Sequence, residues 1–184
     1  MREEFGDIWE MGQRPNSVVC ITTNGYVNAR GECVMGRGVA LQAKKRYPGL
    51  AKLVGQAIRD RGNHVRRFNL TVDGPTDTYI VVFPTKHVWF RPSDLELIRQ
   101  SAEDLKVMAN EKFVATFYLP RPGCQNGGLR WENVKPVLES VGLPDNVVVV
   151  TDDPKQWYDE YTNRLTEGVL ELANEMEESN AVTD

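Results

Sequence analysis

The feature that most constrains this chain is a pattern that occurs twice: an apolar run of strand length, a glycine-rich loop, then a helix. Ser17 to Thr23 is a short β-branched run that reads as a buried strand. The loop after it, from Asn24, carries Gly36 and Gly38 and opens a helix from Gly38 to Tyr47, which Pro48 and Gly49 stop. Phe113 to Leu119 is a second such strand, followed by Pro120 to Arg130 with Gly123, Gly127 and Gly128. Trp131, Val134, Leu138 and Val141 then recur at helical spacing. A strand, loop and helix in that order return the chain across a sheet, so the pattern favours parallel pairing with helices packed on the faces.

The rest of the chain agrees. Leu50 to Arg61 reads as a helix closed by Gly62, and His64 to Val72 and Tyr79 to Phe83 read as strands. Ser93 and Glu96 form a capping box ahead of the stripe Leu95, Ile98, Ala102 and Leu105. Val147 to Val150 is one more buried strand, and Trp157, Tyr161, Leu165 and Leu172 line a final helix. An acidic tail with Glu171, Glu175, Glu177 and Glu178 ends the chain. The expectation is a single α/β domain over residues 1–184, with the last helix and tail beginning near 155. In such a sheet ligands sit at the carboxyl ends of the strands.

Composition removes several function classes. With 41% hydrophobic residues the chain is neither disordered nor a membrane protein, and no apolar run approaches membrane-spanning length. The charged opening, Met1 to Asp7, lacks an apolar leader segment, so a cytoplasmic location and no membrane partner are expected. A monomer is expected too, on no particular sequence signal. Three widely spaced cysteines and two histidines argue against a disulfide framework or a metal centre, and neither metal nor cofactor is expected. A net charge of −4 disfavours non-specific grip on a phosphate backbone. It permits a small phosphorylated ligand, because backbone N–H groups hold phosphate without net positive charge.

Both glycine loops suit that role. Glycine lets backbone approach a ligand, and each loop ends at a helix N-terminus whose N–H groups face an anion. The dinucleotide fingerprint is not completed in the first loop, and neither loop has a Walker lysine followed by Ser or Thr. Two cradles facing one another suit a diphosphate-bridged ligand better than a single phosphate.

At this point the residues match a known family. Asn24 with Val34 to Lys44, Tyr47-Pro48, the run Phe83-Pro84-Thr85-Lys86 with His87 and Trp89, and Gly123 to Trp131 resemble the macrodomain family. The branch they resemble is that of the DarG antitoxin macrodomain and its relative, the terminal ADP-ribose protein glycohydrolase. Gly6 to Glu10 is similar to the opening strand motif of the family. The resemblance is collinear from Phe5 to Thr151 and implies a three-layer α/β/α sandwich with a central mixed, largely parallel sheet.

The resemblance further implies a site. Asp7 and Ile8 would contact adenine, and Asn24 would lie at the distal ribose. Val34, Met35, Gly36, Arg37, Gly38 and Val39 would wrap the diphosphate and distal ribose, with Gly123, Cys124, Gln125, Asn126, Gly127, Gly128 and Leu129. Lys86 falls at the position of the branch's catalytic lysine. Two departures stand out. Tyr26 to Cys33 lengthens the first loop, so Asn24 and Asn28 both qualify as the ribose-facing amide. The second loop has no acid, which favours release from a nucleobase over release from a carboxylate ester. The expected partner is ADP-ribose or an ADP-ribosylated macromolecule such as DNA. A non-catalytic ADP-ribose-binding module and an ADP-ribose 1″-phosphate phosphatase remain as alternatives.

Overall fold

The computed structural model describes residues 1–70, 78–111 and 115–152. The helix and acidic tail expected beyond 155 lie outside these residues. In chain order the elements are β1 (Arg2–Phe5), α1 (Ile8–Met11), β2 (Ser17–Asn24), α2 (Gly38–Arg46), α3 (Leu50–Arg61), β3 (Arg66–Leu70), β4 (Thr78–Lys86), α4 (Leu95–Asn110), β5 (Thr116–Pro120), α5 (Trp131–Val141) and β6 (Val147–Thr151).

The six strands form one sheet in the order β1-β6-β5-β2-β4-β3. All neighbours pair in parallel except β3, which runs antiparallel to β4 at the edge. The period-2 alternation of a strand sends its side chains to opposite faces. Val18 and Cys20 of β2 join Val81, Phe83, Phe117, Leu119, Ile98, Leu105, Val134 and Leu138 in a core beneath α4 and α5. Val19 and Ile21 turn the other way, to Ile80, Val82, Ala43, Leu50 and Val54 beneath α2 and α3. The four inner strands β6, β5, β2 and β4 read as largely apolar runs because both faces are covered, whereas the edge strands β1 and β3 carry charged residues. The result is the expected α/β/α sandwich.

Several boundaries depart from the sequence expectation. The Gly6–Glu10 segment is not a strand: β1 ends at Phe5, and Asp7 caps the one-turn helix α1 by accepting from Trp9 N–H and Glu10 N–H. Asp94, not Ser93, caps α4, taking the N–H groups of Glu96 at 2.8 Å and Leu97 at 3.3 Å. The β4 strand runs past Phe83 through Pro84 to Lys86. Proline cannot donate to a ladder, but the pairing of β2 with β4 shifts register between Thr23 and Asn24. The Pro84 carbonyl accepts instead from the buried Ser101 hydroxyl at 2.8 Å. Of the strands expected at 64–72 and 113–119, Arg66–Leu70 and Thr116–Pro120 are present among the described residues.

A cleft at the carboxyl edge of the sheet

Because β1, β6, β5, β2 and β4 are all parallel, the five segments that leave their carboxyl ends lie along one edge of the sheet. Across that edge they are Asp7 and α1 after β1, Asp152 after β6, the second glycine loop after β5, the first after β2, and the Lys86–Ser93 segment after β4. They enclose a single cleft of about 1210 Å³, with Asp7, Ile8 and Trp9 among its lining at the β1 side and Lys86, Trp89 and Phe90 at the β4 side. A drug-sized ligand needs about 300–1,000 Å³, so the cleft admits an extended one.

The glycine loops face each other across it. A Cβ placed on Gly38 would sit 3.2 Å from the Asn126 side-chain amide of the opposite loop. Gly38 itself has φ +55°, and the helix it opens has no side-chain cap, so the first N–H groups of α2 are left for a ligand. Gly36 meets nothing within 4 Å, leaving its Cα side open to the cleft. In the second loop Gly123 and Gly128 take φ +77° and +76°, conformations that favour glycine, and Gln125 also has positive φ, 54°.

The Tyr26–Cys33 insertion folds into a small hairpin-like turn, with Val27 bridged to Cys33 and the Cys33 N–H bonded to the Ala51 carbonyl of α3. Asn24 fastens its base: the side-chain amide donates to the Val34 carbonyl at 2.7 Å and accepts from Tyr26 N–H at 3.0 Å. Asn28 accepts within the turn, from Arg30 N–H at 2.9 Å and Glu32 N–H at 3.0 Å. Both line the cleft, but both amides already serve the loop.

Lys86 is the last residue of β4 and pairs in register with Asn24 at the end of β2. Its carbonyl accepts from Gly25 N–H at 3.0 Å and from the Asn63 amide at 3.1 Å, which pins the backbone. Its Nζ reaches the second loop and donates to the Asn126 carbonyl at 2.8 Å. Partial burial, with the nearby Arg37 guanidinium, lowers the amine's pKa below the ordinary lysine value. His87, the next residue, is exposed and pairs with Asp94 at 3.1 Å, outside the cleft lining.

Of the residues to which the resemblance assigns a place in the site, all but Met35 and Leu129 line the cleft. Met35 is buried in the core under α2 and α3, and Leu129 packs on the opposite core. Sequence reasoning missed several lining residues. Trp9 is fixed by a 2.7 Å bond from its indole N–H to Gln42 and by the Arg46 guanidinium 4.6 Å over its ring. Arg121 forms part of the wall, paired at 3.2 Å with Glu3 and stacked 4.7 Å over Trp131. Ser93, read as a helix cap, instead lies buried in the lining beside Gly127, its hydroxyl without a hydrogen-bond partner. Trp9 falls in the Gly6–Glu10 motif and Ser93 in the expected capping box, but the place of all three in the lining depends on which strand ends become neighbours.

No protein-family model matches the chain. It is 30% identical over 136 residues to the ADP-ribose glycohydrolase OARD1 of Bos taurus, a stretch covering 74% of this chain and 80% of that protein. The chain belongs to the macrodomain family. This macrodomain also superposes on the solved macrodomain of Mycobacterium tuberculosis DarG with a TM-score of 0.65 and 31% identity, over 83% of this chain and 97% of that one. In sequence it is 36% identical over 121 residues to the DNA ADP-ribosyl glycohydrolase of the same organism. That match covers 64% of this chain, and the chain spans about a third of the relative, 34%. Among the described residues no helix is long and apolar enough to cross a membrane.

Proposed function

We propose that this macrodomain binds ADP-ribose along the cleft and hydrolyses its bond to a nucleobase in DNA, with Lys86 carrying the chemistry. The reading rests on one observation above the others. A lysine with a lowered pKa ends β4 inside the cleft, separated along the strand edge from Asp7 by both glycine loops. A ligand with adenine at Asp7 and its diphosphate between the loops would extend its distal ribose toward Lys86. Relatives named as DNA ADP-ribosyl glycohydrolase and ADP-ribose glycohydrolase support the reaction class.

Burial and a like charge favour the neutral amine, the form that attacks carbon. Attack of Nζ on the anomeric carbon, as the base leaves with a proton, joins lysine to the sugar. Water then releases ADP-ribose and restores the amine. The bond from Nζ to the Asn126 carbonyl holds the amine at the loop that would carry the distal ribose. That same bond favours a second reading, a binder without turnover in which Lys86 only closes the cleft. Incubation in parallel with ADP-ribosylated single-stranded DNA, ADP-ribosylated protein and ADP-ribose 1″-phosphate decides. The proposal expects consumption of the DNA adduct, with free ADP-ribose as product. Intact substrates alongside measurable ADP-ribose binding would establish the binder.

A further inference from the structure

Trp89 and Phe90 lie on the β4 side of the cleft, three and four residues past Lys86, and nothing in the reading above uses them. A turn closed by Arg91 N–H on the Val88 carbonyl, 3.4 Å, projects both rings outward. They are 54% and 60% exposed, and they meet edge to face with centroids 5.4 Å apart. Two adjacent exposed aromatic rings are costly in water and mark a contact surface. They line the cleft together with Arg37, Lys86 and Arg91 on a chain of net charge −4, while the fourth cation of the lining, Arg121, follows β5 and is paired with Glu3. The acidic lining residues, Asp7 and Asp152, follow β1 and β6 instead, the first two strands of the sheet order.

We propose that Trp89 and Phe90 form a stacking platform for the nucleobase that carries ADP-ribose and for its neighbour in a single strand, with Arg37 and Arg91 on the flanking phosphates. The proposal rests on the function proposed above and names the residues by which that site recognises its acceptor. Every base has a π-face, so an aromatic platform beside cations binds a single strand whatever its sequence. An aliphatic or carboxylate acceptor on a protein would gain little from two rings set edge to face.

Binding is separated from turnover by working in Lys86→Ala. Fluorescence anisotropy would compare its affinity for an ADP-ribosylated single-stranded oligonucleotide and for free ADP-ribose, with and without Trp89→Ala and Phe90→Ala. The modified oligonucleotide should bind about tenfold tighter than ADP-ribose, as stacking of one base provides. The two alanines should erase that advantage and leave ADP-ribose affinity within about twofold, while Trp89→Phe should restore most of it. Equal preference with and without the rings overturns the platform, even where the wild type releases ADP-ribose from DNA. A ring-dependent preference in a protein that never cleaves DNA keeps the platform and removes the hydrolase reading. A ring-dependent preference for ADP-ribosylated peptide over oligonucleotide reassigns the acceptor and overturns the proposal.

Discussion

Lys86 joins the end of β4 to the second glycine loop, and the hydrogen bond from its Nζ to the Asn126 carbonyl holds the amine on which the proposed chemistry turns. Adenine and diphosphate contacts come from Asp7 and loop backbone in this reading, so ground-state binding scarcely needs the amine. Lys86→Ala should therefore cut single-turnover release from ADP-ribosylated DNA by about 10²-fold or more while ADP-ribose affinity changes a few-fold at most. Lys86→Arg should fail as well, because a guanidinium keeps its proton. The sign of the pH dependence follows from the role. The neutral amine is the minor form below its pKa, so the rate should rise with pH and level off above a pKa set below the ordinary lysine value by burial and Arg37. Arg37→Gln removes the like charge and should move that rise to higher pH. A rate that falls with pH would mean that Lys86 acts as an acid. Glycines divide by what surrounds them. Gly36 meets nothing within 4 Å, whereas a Cβ at Gly127 runs into the Ser93 hydroxyl. Gly36→Glu should therefore keep the wild-type melting temperature and lose ADP-ribose affinity by about tenfold or more, since only the ligand's phosphates meet the added charge. Calorimetry on the purified variant checks this, and wild-type affinity would take the diphosphate away from that loop.

At the scale of elements, the one-turn helix α1 shows how a site residue can also be structural. Asp7 Oδ1 accepts from Trp9 N–H at 2.7 Å and Glu10 N–H at 3.2 Å, which starts α1 and points Trp9 into the sandwich. Asn caps about as well as Asp, whereas Ala costs about 1 kcal/mol. Asp7→Asn should thus unfold at the wild-type urea midpoint but bind ADP-ribose more weakly, because an amide Nδ2 opposes the adenine amino group. Asp7→Ala should lose both, and an Asn variant with full affinity would leave Asp7 a cap alone. Most elements were legible because their signals are local. Helix α3 runs from Leu50 to the Gly62 stop, and α5 from Trp131 to Gly142 in the left-handed conformation, as periodicity and breakers implied. What the sequence hid is set by neighbours. The acidic motif at Gly6–Glu10 looked extended until the Asp7 cap was seen, and β4 passes Pro84 because the β2 register shifts beside it. Ser93 and Asp94 stand side by side ahead of α4, and the path of the chain out of β4, with Asp94 N–H on the Thr85 carbonyl at 2.9 Å, selects Asp94 as the cap.

For the whole molecule, the parallel sheet brings separate motifs to one cleft. Asp7, the two glycine loops and Lys86 are spread from position 7 to position 130 of the sequence, yet the order β1-β6-β5-β2-β4 sets their strands side by side with carboxyl ends together. The pairing of motifs with strand ends was readable; the side-by-side order was not, since it rests on long-range pairing such as β1 with β6. The insertion at Tyr26–Cys33 illustrates the same limit, because its Asn28 accepts from Arg30 N–H and Asn24 at its base donates to the Val34 carbonyl, contacts no spacing reveals. The arrangement has a thermodynamic consequence. ADP-ribose would bridge the segments leaving five strands, none of which is assembled in the unfolded chain, so it binds the native state alone. Saturation at about 100 times Kd then adds about 2.7 kcal/mol to folding stability. For a chain of this size each kcal/mol raises the melting temperature by about 2–4 °C, giving a rise of about 5–10 °C. Adenosine would reach only the β1 side in this reading and should produce almost none of that rise at the same concentration. ADP, which lacks the distal ribose but keeps the diphosphate, should fall between the two. Thermal melts of the wild type with the three ligands, and of Gly36→Glu with ADP-ribose, test the set. An equal shift with adenosine and ADP-ribose would confine recognition to the β1 side and leave the glycine loops without the diphosphate.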